Sequence, residues 1–143
     1  MSAMSNYLED EIVKHLFRTG SFTKPSVIAI ALCTSSPTDA DTGALTGKEV
    51  STSGTAYARV TLNPSDTNWA ATSGSDGLTS NLSDILFPVA TADWGTITSV
   101  AICDSATVGG GNMLFHGNLL ANKLIQTGDQ FKFNIGDVQI TFA

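Results

Sequence analysis

Two histidines, two cysteines, a cluster of aspartates and two tryptophans are the side chains of this sequence with chemistry to offer. His15 and His116 lie far apart, and neither has a cysteine or carboxylate at the spacing a metal ion requires; His116 reads as a strand-surface residue. Asp39-Ala40-Asp41-Thr42-Gly43 resembles the first half of a calcium loop. Gly43 stands where a third oxygen ligand belongs, however, and the twelfth position is Val50 instead of glutamate, so the stretch reads as an Asx-rich turn. Gly109-Gly110-Gly111 lacks the lysine and following helix of a phosphate cradle and reads as a hairpin turn. No Gly-x-Ser-x-Gly elbow, CxxC pair or dinucleotide fingerprint occurs, and nothing assembles an acid, a base and a nucleophile. No catalytic, cofactor-binding or metal-ligating residue is assigned; the expected protein is not an enzyme and needs no cofactor. Two aromatic residues remain as surface candidates. Trp69, in a polar loop, and Tyr57 have rings that could stack on a sugar ring or meet a neighbouring subunit. The alternative for Trp69 is packing back onto the edge of the fold, and Trp94 reads as a core or corner residue.

These residues sit in a chain of 143 residues with a net charge of −6 and only 14% charged side chains. That length implies one domain, 1–143, with residues 6–18 helical and 26–143 β-structured. The abundant Ser, Thr and Gly favour strands and turns over helices. Seven cations, scattered along the chain, make no clustered basic face, so nucleic acid is not an expected partner. Glu9, Asp10 and Glu11 stand where a secretory signal would need an apolar core. No apolar run approaches the roughly 18 residues of a membrane span, so no membrane insertion is expected. Cys33 and Cys103 lie in apolar runs and are expected as reduced, buried thiols. The Asn81-Leu82-Ser83 sequon carries no meaning in a chain that is not secreted.

One segment has helical periodicity. Ser5 suits an N-cap, and Leu8, Ile12, Val13, Leu16 and Phe17 form an apolar stripe over Asn6 to Arg18. Asp10 and Lys14 are spaced for an ion pair. A helix of this length is marginal alone and must bury its stripe, which is therefore expected to dock a neighbour; the alternative is packing beside Val27 to Cys33. That strand is apolar on both faces and needs cover on both. The helix or a neighbouring subunit is the expected second cover. Further strands are expected at Tyr57–Leu62, Leu82–Phe87 (ended by Pro88), Thr96–Cys103, Met113–Leu119 and near Lys123–Gln126, with loops from Thr34 to Lys48 and from Asn63 to Ser80.

The C-terminus alternates most clearly. Phe131, Phe133 and Ile135 precede Gly136-Asp137, and Val138, Ile140 and Phe142 follow it. A two-residue loop with Gly first predicts a type II′ hairpin that pairs Ile135 with Val138, Phe133 with Ile140 and Phe131 with Phe142. Taken together, the pattern predicts a mainly β protein, an antiparallel β-sandwich (jelly-roll or immunoglobulin-like) of seven to eight short strands with one N-terminal amphipathic helix.

Several strings carry a resemblance: NYLEDEIVKHLF, VIAIALCTSSPTDADTG, KEVS, YARV, ILFPVATADWGTIT, AICDSATVGGGNMLFHGNLL and GDQFKFNIGDVQITF. In this order they resemble a family of small virion structural proteins of tailed bacteriophages and prophages, across nearly the whole chain. The sequence departs from the commoner pattern in extra loop length at Gly43–Lys48, Thr52–Thr55 and Asn68–Ser80. The resemblance implies a structural component of a phage virion, made in the host cytoplasm and attached to the tail at a fibre, tail tip or baseplate. The alternatives are a capsid-decoration protein and a module that binds host surface glycan through loop aromatics such as Trp69 and Tyr57. It also implies other virion proteins as partners, and a homo-oligomer for which a trimer is favoured.

Overall fold

The computed structural model describes residues 2–142. Among the described residues nine strands and one helix follow in the order β1 (Ala3–Met4), α1 (Asn6–Phe17), β2 (Ala29–Cys33), β3 (Val60–Thr61), β4 (Leu78–Ser80), β5 (Ile85–Val89), β6 (Gly95–Cys103), β7 (Met113–Ile125), β8 (Gln130–Phe133) and β9 (Gln139–Thr141). All pairings are antiparallel. One five-stranded sheet runs β1-β7-β6-β2-β3, and two ribbons, β4-β9 and β5-β8, complete the strands. Sheet and ribbons share one apolar core, in which Ile30, Leu32, Ile97 and Ile102 join Ile85, Phe87, Phe131, Phe133 and Ile140. The fold is thus mainly β and sandwich-like with a single N-terminal helix, as the pattern predicts.

The helix begins where its chemistry directs. Ser5 has extended backbone, and its Oγ accepts the Leu8 N–H at 3.2 Å. The same fully buried hydroxyl donates to the Met113 carbonyl, so one side chain both caps α1 and ties it to β7. Lys14 pairs with Glu11 at 2.9 Å, three residues back, and not with the expected Asp10.

All five residues of β2 are buried, as its two apolar faces require. One face supplies Ile30 and Leu32 to the main core. The other carries Ala31 and Cys33 into a second cluster with Leu45, Ala101, Cys103 and Met113. The expected cover by the helix or a neighbouring subunit is therefore corrected: the chain's own 34–50 loop lays Leu45 on that face. The loop is fastened there by backbone bonds from Thr34 to Lys48 and from Val50 to Leu32.

The C-terminal hairpin is also corrected. Phe131, Phe133, Val138 and Ile140 are buried, but Ile135 and Phe142 are 62% and 49% exposed. The two arms of the expected hairpin do not pair with each other. β8 pairs with β5, placing Phe133 opposite Ile85, and β9 pairs with β4, placing Ile140 opposite Thr79. Gly136, at φ +82°, takes the third position of a turn closed by Asp137 N–H on Asn134 C=O, where a type II turn wants glycine. The fully buried Asn81 stands where the hairpin ladder would be. Its N–H donates to Val138 C=O, its C=O accepts from Gly136, its Oδ1 accepts from Val138 at 2.9 Å, and its Nδ2 donates to Asn134 C=O at 3.0 Å. Asn81, through its backbone and its side chain together, takes up the Val138 N–H and C=O that the hairpin would have paired.

Other boundaries differ for local reasons. Pro88 lies inside β5 at a register shift between Leu86 and Val89, where a missing N–H is tolerated. The two strands expected over residues 113–126 are one strand, β7. It crosses a break in register: Ile97 faces Lys123 while Ser99 faces Asn118, so residues 119–122 arch away opposite Thr98 alone. Only Val60–Thr61 of the expected Tyr57–Leu62 strand pairs.

Candidate functional site

The densest polar constellation in the molecule was not singled out by sequence reasoning. Glu49 and Arg59 form an ion pair whose side chains are 3% and 0% exposed. Arg59 Nε donates to Glu49 Oε1 and Nη2 to Oε2, each at 2.8 Å, the two-pronged geometry of the strongest ion pairs. Its remaining donors go to three carbonyls: Nη2 to Gly43 at 2.7 Å, and Nη1 to Ser105 at 2.9 Å and Gly110 at 3.1 Å. All five guanidinium N–H groups are used. Tyr57 completes the set, donating its hydroxyl proton to Glu49 Oε1 at 2.9 Å and accepting the Leu32 N–H at 2.9 Å.

This clasp joins the 43–50 loop, the segment before β3 and the 105–110 turn. The loops meet so closely that a Cβ on Gly43 would lie 2.2 Å from the Gly110 carbonyl oxygen, so only glycine fits. Burial works to lower the pKa of Arg59, but the Glu49 carboxylate outweighs it and the net shift is upward. Burial, then the Glu49 charge, pushes Tyr57 well above its ordinary value. Every buried side-chain donor and acceptor in the cluster has a partner within the chain, which makes it a fastening between loops. KEVS and YARV, two of the strings that carry the resemblance above, contain Glu49 and Arg59. Arg59, set between Ala58 and Val60, is the one local signal; Glu49, beside Lys48 in a Ser/Thr/Gly-rich stretch, gives none.

The candidate surface residues divide. Along α1, Leu8 is buried and Ile12 packs against the core, whereas Val13, Leu16 and Phe17 are 50%, 64% and 81% exposed. The expected stripe is thus half core and half surface. Tyr57 is a core residue, 4% exposed, stacked on Phe87 at 6.4 Å and edge-on to Trp94 at 5.3 Å, and its ring has no open face for a receptor. Trp69 is half-buried and donates its indole N–H to the Leu62 carbonyl at 2.9 Å, so it folds back on the edge of the sheet. Trp94 is buried, with its N–H on the Thr55 carbonyl.

The aspartates of the 39–43 turn are engaged in structure. Asp41 accepts the N–H and hydroxyl of Thr38 and pairs with Lys48, which lowers its pKa. Asp39 meets His116 Nε2 at 2.8 Å, tying the turn to β7. Among the described residues no group of three or more His, Cys, Asp or Glu side chains is arranged to hold a metal ion.

The cysteines are free and buried, four positions apart along the β2–β6 ladder, with Ala29 opposite Cys103 and Cys33 opposite Ser99. Burial pushes the Cys33 thiol up to about 12 and the Cys103 thiol up to about 11. The thiolate is the reactive form, so both should resist iodoacetamide at pH 8 in the folded protein and react once denaturant unfolds it. The linkage has a definite sign. Unfolded thiols ionise near pH 9 while the folded ones stay neutral, so stability is intact below pH 9 and falls as the pH rises towards about 12. Rapid alkylation of the native chain, or stability that rises above pH 9, would contradict this burial.

A family model described as Podophage GP4 fiber I protein gp80 matches residues 3–141. That is nearly the whole chain, and the chain belongs to this family. No curated protein matches it.

Proposed function

We propose that this member of the podophage fibre family is a non-enzymatic structural subunit of the tail, built as a homo-oligomer whose copies meet through the exposed end of α1. Family membership makes the chain a phage fibre-type virion protein that associates with other virion components. The position within the tail, at a fibre, tail tip or baseplate, and the trimeric state are the finer parts of the proposal. The observation that carries the oligomer is the cluster of Val13, Leu16 and Phe17 at the end of the helix, apolar and largely uncovered by the rest of the chain. Cover of β2 by the 34–50 loop removes the other argument for a neighbouring subunit and leaves the helix as its support.

The test is the pair Leu16→Glu with Phe17→Glu, read by sedimentation and circular dichroism. Both side chains lie outside the core, so the melting transition should move little while the oligomer separates into monomers. An unchanged sedimentation coefficient would remove the helix from the interface. Imaging of intact particles with a labelled chain tests the position: density at the tail supports the proposal, and density over the capsid would make the protein a head decoration.

A further inference from the structure

The chain that follows α1 is tied back to it by one hydrogen bond. Between Arg18 at the helix cap and Ile28 at the approach to β2 runs a strap, residues 19–27. Among the described residues it makes a single hydrogen bond: the Phe22 N–H donates to His15 Nδ1 at 3.1 Å. The strap folds back to reach that nitrogen. A Cβ on Gly20 would lie 3.1 Å from Lys14 Cβ, so the chain turns close against the last turn of the helix, and the Phe22 side chain packs on the main core. The receiving nitrogen has a definite state. An N–H donor needs a lone pair, so the neutral His15 ring carries its proton on Nε2.

We propose that His15 and Phe22 form an acid-sensitive latch: the neutral imidazole holds the strap against α1, and the imidazolium lets it go. An imidazolium carries a proton on both nitrogens and accepts no hydrogen bond. The bond is therefore present at higher pH and lost as the pH falls. His15 is exposed, so solvent can deliver the proton without any unfolding. The charged groups on the two segments that flank it are Glu11, Lys14 and Arg18 on α1 and Lys24 on the strap. Glu11 is taken up by Lys14 at 2.9 Å, which leaves cations and an N–H donor around the ring. A protonated ring is repelled from the strap and drawn towards the end of the helix, whose last carbonyls have no partner within it.

The other histidine responds in the opposite sense. His116 meets Asp39 through Nε2 at 2.8 Å, and protonation there adds a charge to an existing contact. Loosening in acid at the strap therefore points to His15. The strap borders Leu16 and Phe17, so its release alters the footing of the contact proposed between copies. The latch itself belongs to a single chain and is tested there, so its failure would leave that contact standing.

The test is amide hydrogen exchange of the full chain at pH 8 and pH 5, a span across which imidazole side chains titrate, with rates corrected for the intrinsic effect of pH. Protection of the Phe22 amide should fall about fivefold in acid, the worth of one ordinary hydrogen bond. In His15→Asn, whose Oδ1 stands where Nδ1 stands and accepts at both pH values, protection should stay constant. Nitrogen NMR of the His15 ring adds a readout that packing alone would not move: at pH 8, Nδ1 should give the signal of a bare nitrogen and Nε2 that of a protonated one. Unchanged protection in the wild type would overturn the proposal. An equal loss in His15→Asn would overturn it too, by assigning the acid response to another group, and so would a proton on Nδ1 at pH 8.

Discussion

Arg59→Met should destabilise the fold by about 3–5 kcal/mol, the usual cost of removing one member of a buried ion pair. The methionine fills much of the same space, but it leaves the Glu49 carboxylate buried without its counter-ion. It also strips the Gly43, Ser105 and Gly110 carbonyls of a donor. Thermal melting should fall by about 10 °C or more. Arg59→Lys should recover little of this, because an ammonium cannot reach two carboxylate oxygens and three carbonyls in one plane. Glu49→Gln should be costly too, and the double variant should lose less than the sum of the two singles, as expected for residues in one network. A loss below about 1 kcal/mol in Arg59→Met would mean that the clasp is not closed as described.

Phe87→Ala is expected to cost about 3–5 kcal/mol by leaving a cavity in the aromatic centre of the core. Phe87 is 1% exposed and touches rings on three sides: Tyr57, Phe131 at 5.8 Å and Phe133 at 6.4 Å. It joins β5 to β8 and to the ring of the clasp's tyrosine. Leu86 is 52% exposed, so Leu86→Ala should stay within about 0.5 kcal/mol. Chemical denaturation of both variants separates the cases; similar midpoints would show that β5 presents the wrong face to the core.

Sequence pattern was most informative where one local rule decided the outcome. Ser5 and the spacing of Leu8 and Ile12 located the helix to within a residue, because a cap and a periodic stripe act over a single turn. Two-faced burial was equally legible from composition, although of the expected Val27–Cys33 only Ala29–Cys33 forms the fully buried strand. Alternation also picked out Phe131, Phe133, Val138 and Ile140 as buried. It failed on their partners, because alternation fixes which face a residue takes and leaves open which strand lies alongside. Asn81, distant in sequence, decided that question. The clasp was hidden for a related reason: Glu49 and Arg59 look like ordinary surface charges until Gly43, Ser105 and Gly110 are brought together around them. Met113–Ile125 looked like two strands because its arch at 119–122 breaks the alternation without ending the strand.

The split of β8 and β9 between two ribbons governs when this protein can fold. β4 and β5 are made well before their partners, β9 and β8, because a long stretch of chain separates each pair. Until residues 130–141 emerge, Phe87 has neither Phe131 nor Phe133 to pack against, and Asn81 has no turn to hold. Pairings this distant carry a large loop-closure entropy and close slowly. Folding of that half therefore waits for residues 130–141, and a chain lacking them would leave both β4 and β5 without a partner.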